Sequence, residues 1–382
     1  MDRQPVFPLT EQASAHLDMV RGLAALAVLG SHWRSLFFLN WPNVSHKNLL
    51  LATLYAVAKF GHQAVVVFFV LSGFLIGRTV IKDMVTGKWS IKKYALHRGV
   101  RLYLVLIPAL LLCWFWDGLG MHLFPRSALY LGTSGVSVLG YRVAEWISPR
   151  IFFGNLFFLQ LIRVPPFGSD SPLWSLSYEF WYYVLFPCLA ILFVKTFSFW
   201  RRFTYGICFL VVAYFIGSWM FQGFFIWLLG VSLVFIPKPA NRILRHYWMF
   251  FGFSLFALLG ILLVSILASF PQKYSFFDHI LGVFVAFFLY TLLHSPMQIG
   301  RAYKFYTKGI AGFSYTLYLA HMPFLLFFAA LVNHRSQASV GMFSVSVGIL
   351  VMTILYSYGL ARIFERNTDA VRKMLEAKLC LV

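Results

Sequence analysis

Asp18, Arg21 and His32 interrupt the first long apolar run of the chain. A neutral imidazole can take a proton from a hydroxyl near neutral pH and return it. A histidine inside an apolar helix is therefore a candidate general base. Asp18 and Arg21 are three residues apart, so on a helix they share a face and can pair. His32 follows Arg21 by eleven residues, close to three turns, which points it the same way about 16 Å further along the axis. One polar stripe would then cross much of the helix. The plainer reading of the pair is an anchor that fixes the helix near an interface. A carboxylate comes from Glu179, in the run Ser171, Pro172, Leu173, Trp174, Ser175, Leu176, Ser177, Tyr178, Glu179. Proline suits a helix start, and Glu179 lies about two turns in, too deep for so short a side chain to reach water. It is expected to be neutral or paired with a cation such as His or Arg. Trp174 and Tyr178 beside it suit an interfacial aromatic belt or a wall for stacking sugars. His321 shares a polar edge with Ser314 and Tyr318 at near-helical spacing, as a site residue or as a hydrogen-bonded bridge between helices.

The basic residues offer different chemistry. Arg98 and Arg101 are three apart at the mouth of a predicted helix, and two guanidinium forks on one face suit phosphate or pyrophosphate. Anchoring to lipid headgroups is the alternative. Just before them, Ser72, Gly73, Phe74 and Gly77 form a small-residue notch that lets helices approach closely. The cysteines Cys113, Cys188, Cys208 and Cys380 lack metal or disulfide spacing, so no metal site is expected.

These residues need a scaffold, and the composition names it. Of 382 residues 60% are hydrophobic and 12% charged, with a mean hydropathy of +0.76, against roughly 25% charged in soluble domains. Several runs reach the roughly 20 residues that cross a bilayer as helix. No alternating strands suggest a membrane barrel. The expected fold is all-α, a polytopic transmembrane bundle of about ten helices near 17–39, 60–81, 101–124, 173–195, 203–220, 221–237, 247–269, 277–294, 309–332 and 342–363. The boundary between the fifth and sixth spans is nearly absent. The net charge of +20 lies between apolar spans, which points away from nucleic acid and towards the cytoplasmic excess of Lys and Arg. With the N-terminus inside, Arg78, Lys82, Lys88, Lys92, Lys93, Arg98, Arg101, Lys195, Arg201, Arg202, Lys238, Arg242, Arg245, Arg301, Lys304 and Lys308 fall on the inner side with the C-terminal tail. Arg34, Lys47, Lys59, Arg126, Arg142, Arg150, Arg163, Lys273 and Arg335 fall outside. Both termini are accordingly expected in the cytoplasm. No cleavable signal is expected. The chain reads as one domain (1–382): a cytoplasmic N-terminus (1–16), a long outer loop (125–172) and a C-terminal tail (364–382) that forms a helix on the membrane surface. Within the outer loop, the apolar piece from Ile151 to Ile162 is too short to span and suits a re-entrant or interfacial helix, or a surface amphipathic segment.

Read together, these segments resemble the acyltransferase 3 family of membrane acyltransferases. The matching pieces are Leu17 to His32, Phe69 to Ile76, Arg98 to Arg101, Trp174 to Glu179, and Ser314 to His321, in the family's order. The resemblance implies transfer of an acyl group, commonly acetyl, from a cytoplasmic CoA thioester to a carbohydrate hydroxyl of a cell-envelope or exported glycan. The location it implies is a bacterial-type inner membrane. It carries over Arg21 with His32 as the family's Arg–His pair and Arg98 with Arg101 as its paired-Arg motif. Many members carry a second acidic residue beside the position of Glu179, where this chain has Phe180.

The expected mechanism has catalytic roles for His32, Glu179 and His321. Arg98, Arg101 and Arg21 would bind the donor. Asp18, Ser72, Trp174, Tyr178 and Tyr318 would line the substrate path. Acyl-CoA is a co-substrate, and no tightly bound cofactor is expected. The partners are the acyl-CoA donor, the carbohydrate acceptor and the lipid bilayer. Glu179 or His321 would orient His32, and His32 could act as base or as acyl-carrying nucleophile. Succinyl transfer to periplasmic glucans would use the same base, so the residues leave the acyl chain, the sugar and the oligomeric state open. The rival of another class is a proton-coupled transporter or flippase using the same intramembrane residues as a relay, although no inverted repeat supports it.

Overall fold

The computed structural model describes residues 9–239, 246–267, 276–332, 335–337 and 339–380. Arg242, Arg245 and Lys273, counted above, lie outside the described residues. The described residues contain no β-strand, only the isolated bridges Phe38–Ser336 and Gln160–Val164. Helices prevail because they satisfy their own backbone hydrogen bonds where lipid offers none. Nine described helical stretches are long and apolar enough to cross a bilayer.

The chain divides into two compact units, and three helices contribute more than one residue to each. These are α1 (Glu11–Phe37), α4 (Ile91–Leu123) and α7 (Leu173–Phe193). The first unit takes residues up to Ala24, then His62–Tyr94 and Tyr178–Ala311. It holds nearly all of α3 (Gly61–Val85), most of α7, and α8 (Phe199–Ser232), α9 (Tyr247–Leu267), α10 (Phe276–Leu293) and α11 (Arg301–Ala311).

α8 covers the predicted fifth and sixth spans. At Gly217 its backbone takes φ +77° and ψ 167°, a conformation essentially confined to glycine. Phe209 lies 6.1 Å from Phe221 and 6.4 Å from Phe224 between ring centroids. In a straight helix the backbones of 209 and 224 would stand about 22 Å apart, so the chain reverses at Gly217 and the two arms pack together. α8 is a helical hairpin whose turn is one residue long, which is why the hydropathy pattern shows no loop there. Counted as two arms, α8 brings the described candidate spans to ten.

The second arm of α8 crosses α3 at backbone contact. A Cβ on Gly73 would fall 1.9 Å from the carbonyl oxygen of Trp227, and one on Gly230 would fall 1.9 Å from that of Val70. Neither site admits any side chain, so the small-residue notch read from the sequence is a crossing point. His62 at the start of α3 meets both carboxylate oxygens of Asp278 on α10 at 3.0 Å. The segment 301–308, read as part of an inner loop, is the amphipathic helix α11. Its Tyr303 hydroxyl lies 3.0 Å from His16 Nδ1, and its Lys304 pairs with Glu11 at 2.6 Å, while Phe305 and Tyr306 face outward.

The second unit takes Ala25–Gly61, Ala95–Ser177 and Gly312–Val382. It holds the rest of α1, α2 (Leu49–Val57), most of α4, the outer connection, α12 (Ser314–Leu331), α13 (Val340–Ile363) and α14 (Thr368–Lys378). Trp33 Nε1 donates to the Ser346 carbonyl at 2.9 Å and ties α1 to α13. In the outer connection, α5 is the single turn Ala128–Leu131, and the apolar piece forms the short helix α6 over Pro149–Leu156. It starts on Ser148, whose hydroxyl accepts from the Ile151 N–H. Left-handed backbone at Phe158 and Leu161 then turns the chain. Buried Asn155 donates to the carbonyls of Ile151 and Pro165 and accepts from the Phe167 N–H. Asp117 of α4 accepts from the Ser169 N–H and hydroxyl, each at 2.7 Å. These bonds make the connection a folded layer. The next residue, Asp170, is fully buried, and burial together with the Asp117 carboxylate holds its carboxyl well above the usual carboxylate range. The tail after Phe364 is helical, as its charge pattern predicts, and Glu376 on α14 bonds His97 near the start of α4.

Candidate functional site

In the second unit, α1 and α12 bring His32 and His321 together. His32 Nδ1 and His321 Nε2 are 3.1 Å apart, and the ring centroids are 5.1 Å apart. His321 is fully buried, and its Nδ1 lies 2.8 Å from the Leu317 carbonyl oxygen one turn back. A carbonyl only accepts, so this contact requires hydrogen on Nδ1 of His321. In the neutral ring, Nε2 is then an acceptor. His32 must donate to it from Nδ1, which leaves the lone pair of His32 on Nε2. One backbone carbonyl thus sets the tautomers of both rings, the service a third group performs for a catalytic base elsewhere. Beside the pair, Tyr318 OH lies 2.6 Å from Ser175 Oγ and 3.3 Å from the Pro172 carbonyl. Trp174, in the first turn of α7, is half-buried.

The paired arginines sit on the first turns of α4. Arg101 reaches the buried carboxylate of Glu365, with Nη2 at 3.1 Å from Oε1, and its guanidinium lies over the Tyr315 ring at 5.1 Å. The other carboxylate oxygen of Glu365 accepts from the Thr316 N–H at 3.1 Å and the Thr316 hydroxyl at 2.8 Å. Thr316 lies in the first turn of α12, where N–H groups lack helical partners and negative charge is favoured. Glu365 therefore anchors two things at once: Arg101, and the start of the helix that carries His321. Arg98 precedes Arg101 by three residues on the same helical face.

In the first unit, Arg21 Nη2 meets Asp18 Oδ1 at 2.6 Å. Among the described residues Glu179 bonds to hydroxyls and not to a cation: Ser72 Oγ donates to its Oε1 at 3.0 Å, and Tyr183 OH donates to the same oxygen. Tyr178 stacks on Phe69 with its ring nearly parallel. Every candidate site residue read from the sequence lies among the described residues. His32, His321, Trp174, Tyr318, Arg98 and Arg101 belong to one unit, and Asp18, Arg21, Ser72, Tyr178 and Glu179 to the other.

The profile of a protein family described as an acyltransferase domain matches residues 14–362. The chain belongs to the acyltransferase 3 family. No curated protein and no solved structure matches it. Membership makes the chain a membrane acyltransferase, and the transporter reading falls. The match ends at residue 362, just short of Glu365, so the anchor of Arg101 lies outside the matched region. Glu365 escaped the sequence reading because it follows the last span among tail residues of mixed charge. The signal was its position as the first acidic residue after a long apolar helix. Tyr183 and Trp227, partners of Glu179 and Ser72, escaped because aromatic residues crowd both helices and nothing in their spacing marks two of them.

Proposed function

We propose that this acyltransferase moves an acetyl group from cytoplasmic acetyl-CoA to a hydroxyl of a cell-envelope or exported carbohydrate, with His32 as general base. The observation that supports this reading is the bond from His32 Nδ1 to His321 Nε2, backed by the Leu317 carbonyl. It leaves His32 Nε2 as the nitrogen that takes the proton. The acceptor hydroxyl gives its proton to Nε2 as its oxygen attacks the thioester carbonyl carbon. The C–S bond breaks, and the Nε2 proton passes to the departing CoA sulfur, so the imidazole returns to its starting form. A neutral acceptor behind His32 leaves the positive charge of the transient imidazolium shared between two rings. This stabilises it less than a carboxylate would.

Arg98 and Arg101 hold the CoA phosphates. Arg101 gives one nitrogen to Glu365 and retains further donors of its fork for phosphate. Trp174 supplies an aromatic face, and Tyr318 a hydroxyl, for the sugar. An even number of crossings among the described residues would leave both ends on one side of the bilayer, and the basic loops favour the cytoplasmic side of an inner membrane for them.

The test uses the full chain in lipid nanodiscs with radiolabelled acetyl-CoA and extracted cell-envelope glycan. Transfer of label to the glycan is expected, and loss of at least about a hundredfold in His32→Ala. Transfer retained in His32→Ala, with normal yield and monodispersity, would overturn the role of His32. Absence of label in glycan with the wild type would overturn the acceptor class.

A further inference from the structure

Glu179 is held by a network that no motif announces. Ser72 Oγ donates to Glu179 Oε1 at 3.0 Å, and the Trp227 indole Nε1 donates to Ser72 Oγ at 3.2 Å. The indole bond fixes the lone pair of the Ser72 hydroxyl and turns its hydrogen towards the carboxyl. Tyr183, one turn beyond Glu179 on α7, donates to the same Oε1. Its backbone carbonyl in turn accepts from the Tyr94 hydroxyl at 2.9 Å. Two hydroxyls thus converge on one oxygen of the carboxyl group, and among the described residues no hydrogen bond reaches the other, Oε2. Trp227 is fully buried, and Gly73 lets its backbone touch α3, the contact that brings the indole within reach of Ser72.

We infer that Ser72, Tyr183 and Trp227 are positioning residues that lock the Glu179 carboxyl so that Oε2 alone addresses substrate. This rests on the reading that Glu179 serves the transfer, and it gives Ser72 a role behind Glu179 in place of direct contact with substrate. A carboxyl group pinned at one oxygen loses its freedom to swing about the Cγ–Cδ bond. Its remaining oxygen then presents a single acceptor in a fixed direction, as precise alignment of a reacting or orienting group requires. The indole reports to Glu179 only through Ser72, so removing either should have the same effect.

The test measures acetyl transfer from acetyl-CoA to extracted glycan by nanodisc-embedded full chain, for Glu179→Gln, Ser72→Ala, Ser72→Thr, Tyr183→Phe, Trp227→Phe and the double variant Ser72→Ala with Trp227→Phe. Ser72→Ala and Trp227→Phe should each lower kcat about tenfold with KM for acetyl-CoA within about twofold. The double variant should be no worse than Ser72→Ala alone, because the two act in series. Tyr183→Phe should lower kcat likewise, and Ser72→Thr should recover most of it. If Glu179→Gln turns over like the wild type, the role of Glu179 falls. If Glu179→Gln is inactive while Ser72→Ala and Tyr183→Phe keep wild-type kcat, the positioning network falls and the role of Glu179 stands. Additive losses in the double variant would also refute the series arrangement. Ser72→Ala removes a single oxygen, so it keeps the test decisive if Trp227→Phe is poorly folded.

Discussion

Replacing His321 probes the tautomer argument directly. His321→Asn keeps an amide donor near the place of Nδ1, able to reach the Leu317 carbonyl, but removes the acceptor at Nε2. His321→Gln reaches further and places its amide oxygen near Nε2. In the Asn variant the His32 Nδ1–H loses a 3.1 Å bond in a half-buried place, and a donor left unpaired away from water costs up to about 1–3 kcal/mol. The ring can recover that only by moving or by shifting its proton to Nε2, and either removes the base. About 2 kcal/mol corresponds to a fall in kcat of about thirtyfold. The donor motif is untouched, so KM for acetyl-CoA should hold. His321→Gln should recover most of the loss, and the double variant His32→Ala with His321→Asn should be no slower than His32→Ala. The assay is initial-rate release of CoA thiol by the nanodisc-embedded chain with extracted glycan present. Equal kcat in His321→Asn and wild type would refute the orienting role. So would a double variant well below His32→Ala, because His321 would then act on its own.

Glu365 offers a separable test. Glu365→Gln keeps an oxygen for the Thr316 N–H and hydroxyl but removes the negative charge from Arg101, so KM for acetyl-CoA should rise about fivefold with kcat nearly unchanged. An unchanged KM would dissociate Arg101 from the donor. Asp170 gives a pH signature. Its carboxyl stays protonated in the folded chain well above the usual range, whereas the unfolded chain releases that proton near pH 4. Its contribution to stability is therefore full below about pH 4 and is lost as pH rises towards the raised folded value, at about 1.4 kcal/mol per pH unit. Thermal unfolding of Asp170→Asn between pH 5 and 8 should be flatter with pH than that of the wild type, and parallel curves would contradict the assignment.

The helices were legible because lipid leaves so few alternatives: a run such as 342–363 has to be helical, and it is so over Val340–Ile363. The hairpin was half-legible. Hydropathy required two spans in a 34-residue run, but only glycine's access to positive φ shows how a one-residue turn joins them. The tail helix was readable from its alternating charge, and the helix at 301–311 was missed because its apolar residues are few and its basic ones resemble a loop. Pairings across the fold were beyond reach. Asp18 and Arg21 could be matched because they are three residues apart on one helix, whereas Arg101 and Glu365 are separated by most of the chain. His32 and His321 were each identifiable as out of place in lipid. That they meet, and through which nitrogens, depends on helix packing that no spacing encodes.

The reversal at Gly217 also bears on how the chain enters the bilayer. As one straight rod, α8 would be about 51 Å long, far beyond the roughly 30 Å of hydrocarbon. Every later span would then enter with the opposite sense. The basic surface of Arg301, Lys304 and Lys308 would have to be carried across the membrane, against the bias that retains such residues inside. Folded back, the two arms can partition as a pair. The synthesis machinery then needs no separate signal to orient the helix that bears His321. The sense in which the later spans would cross thus depends on a reversal at one residue without a side chain.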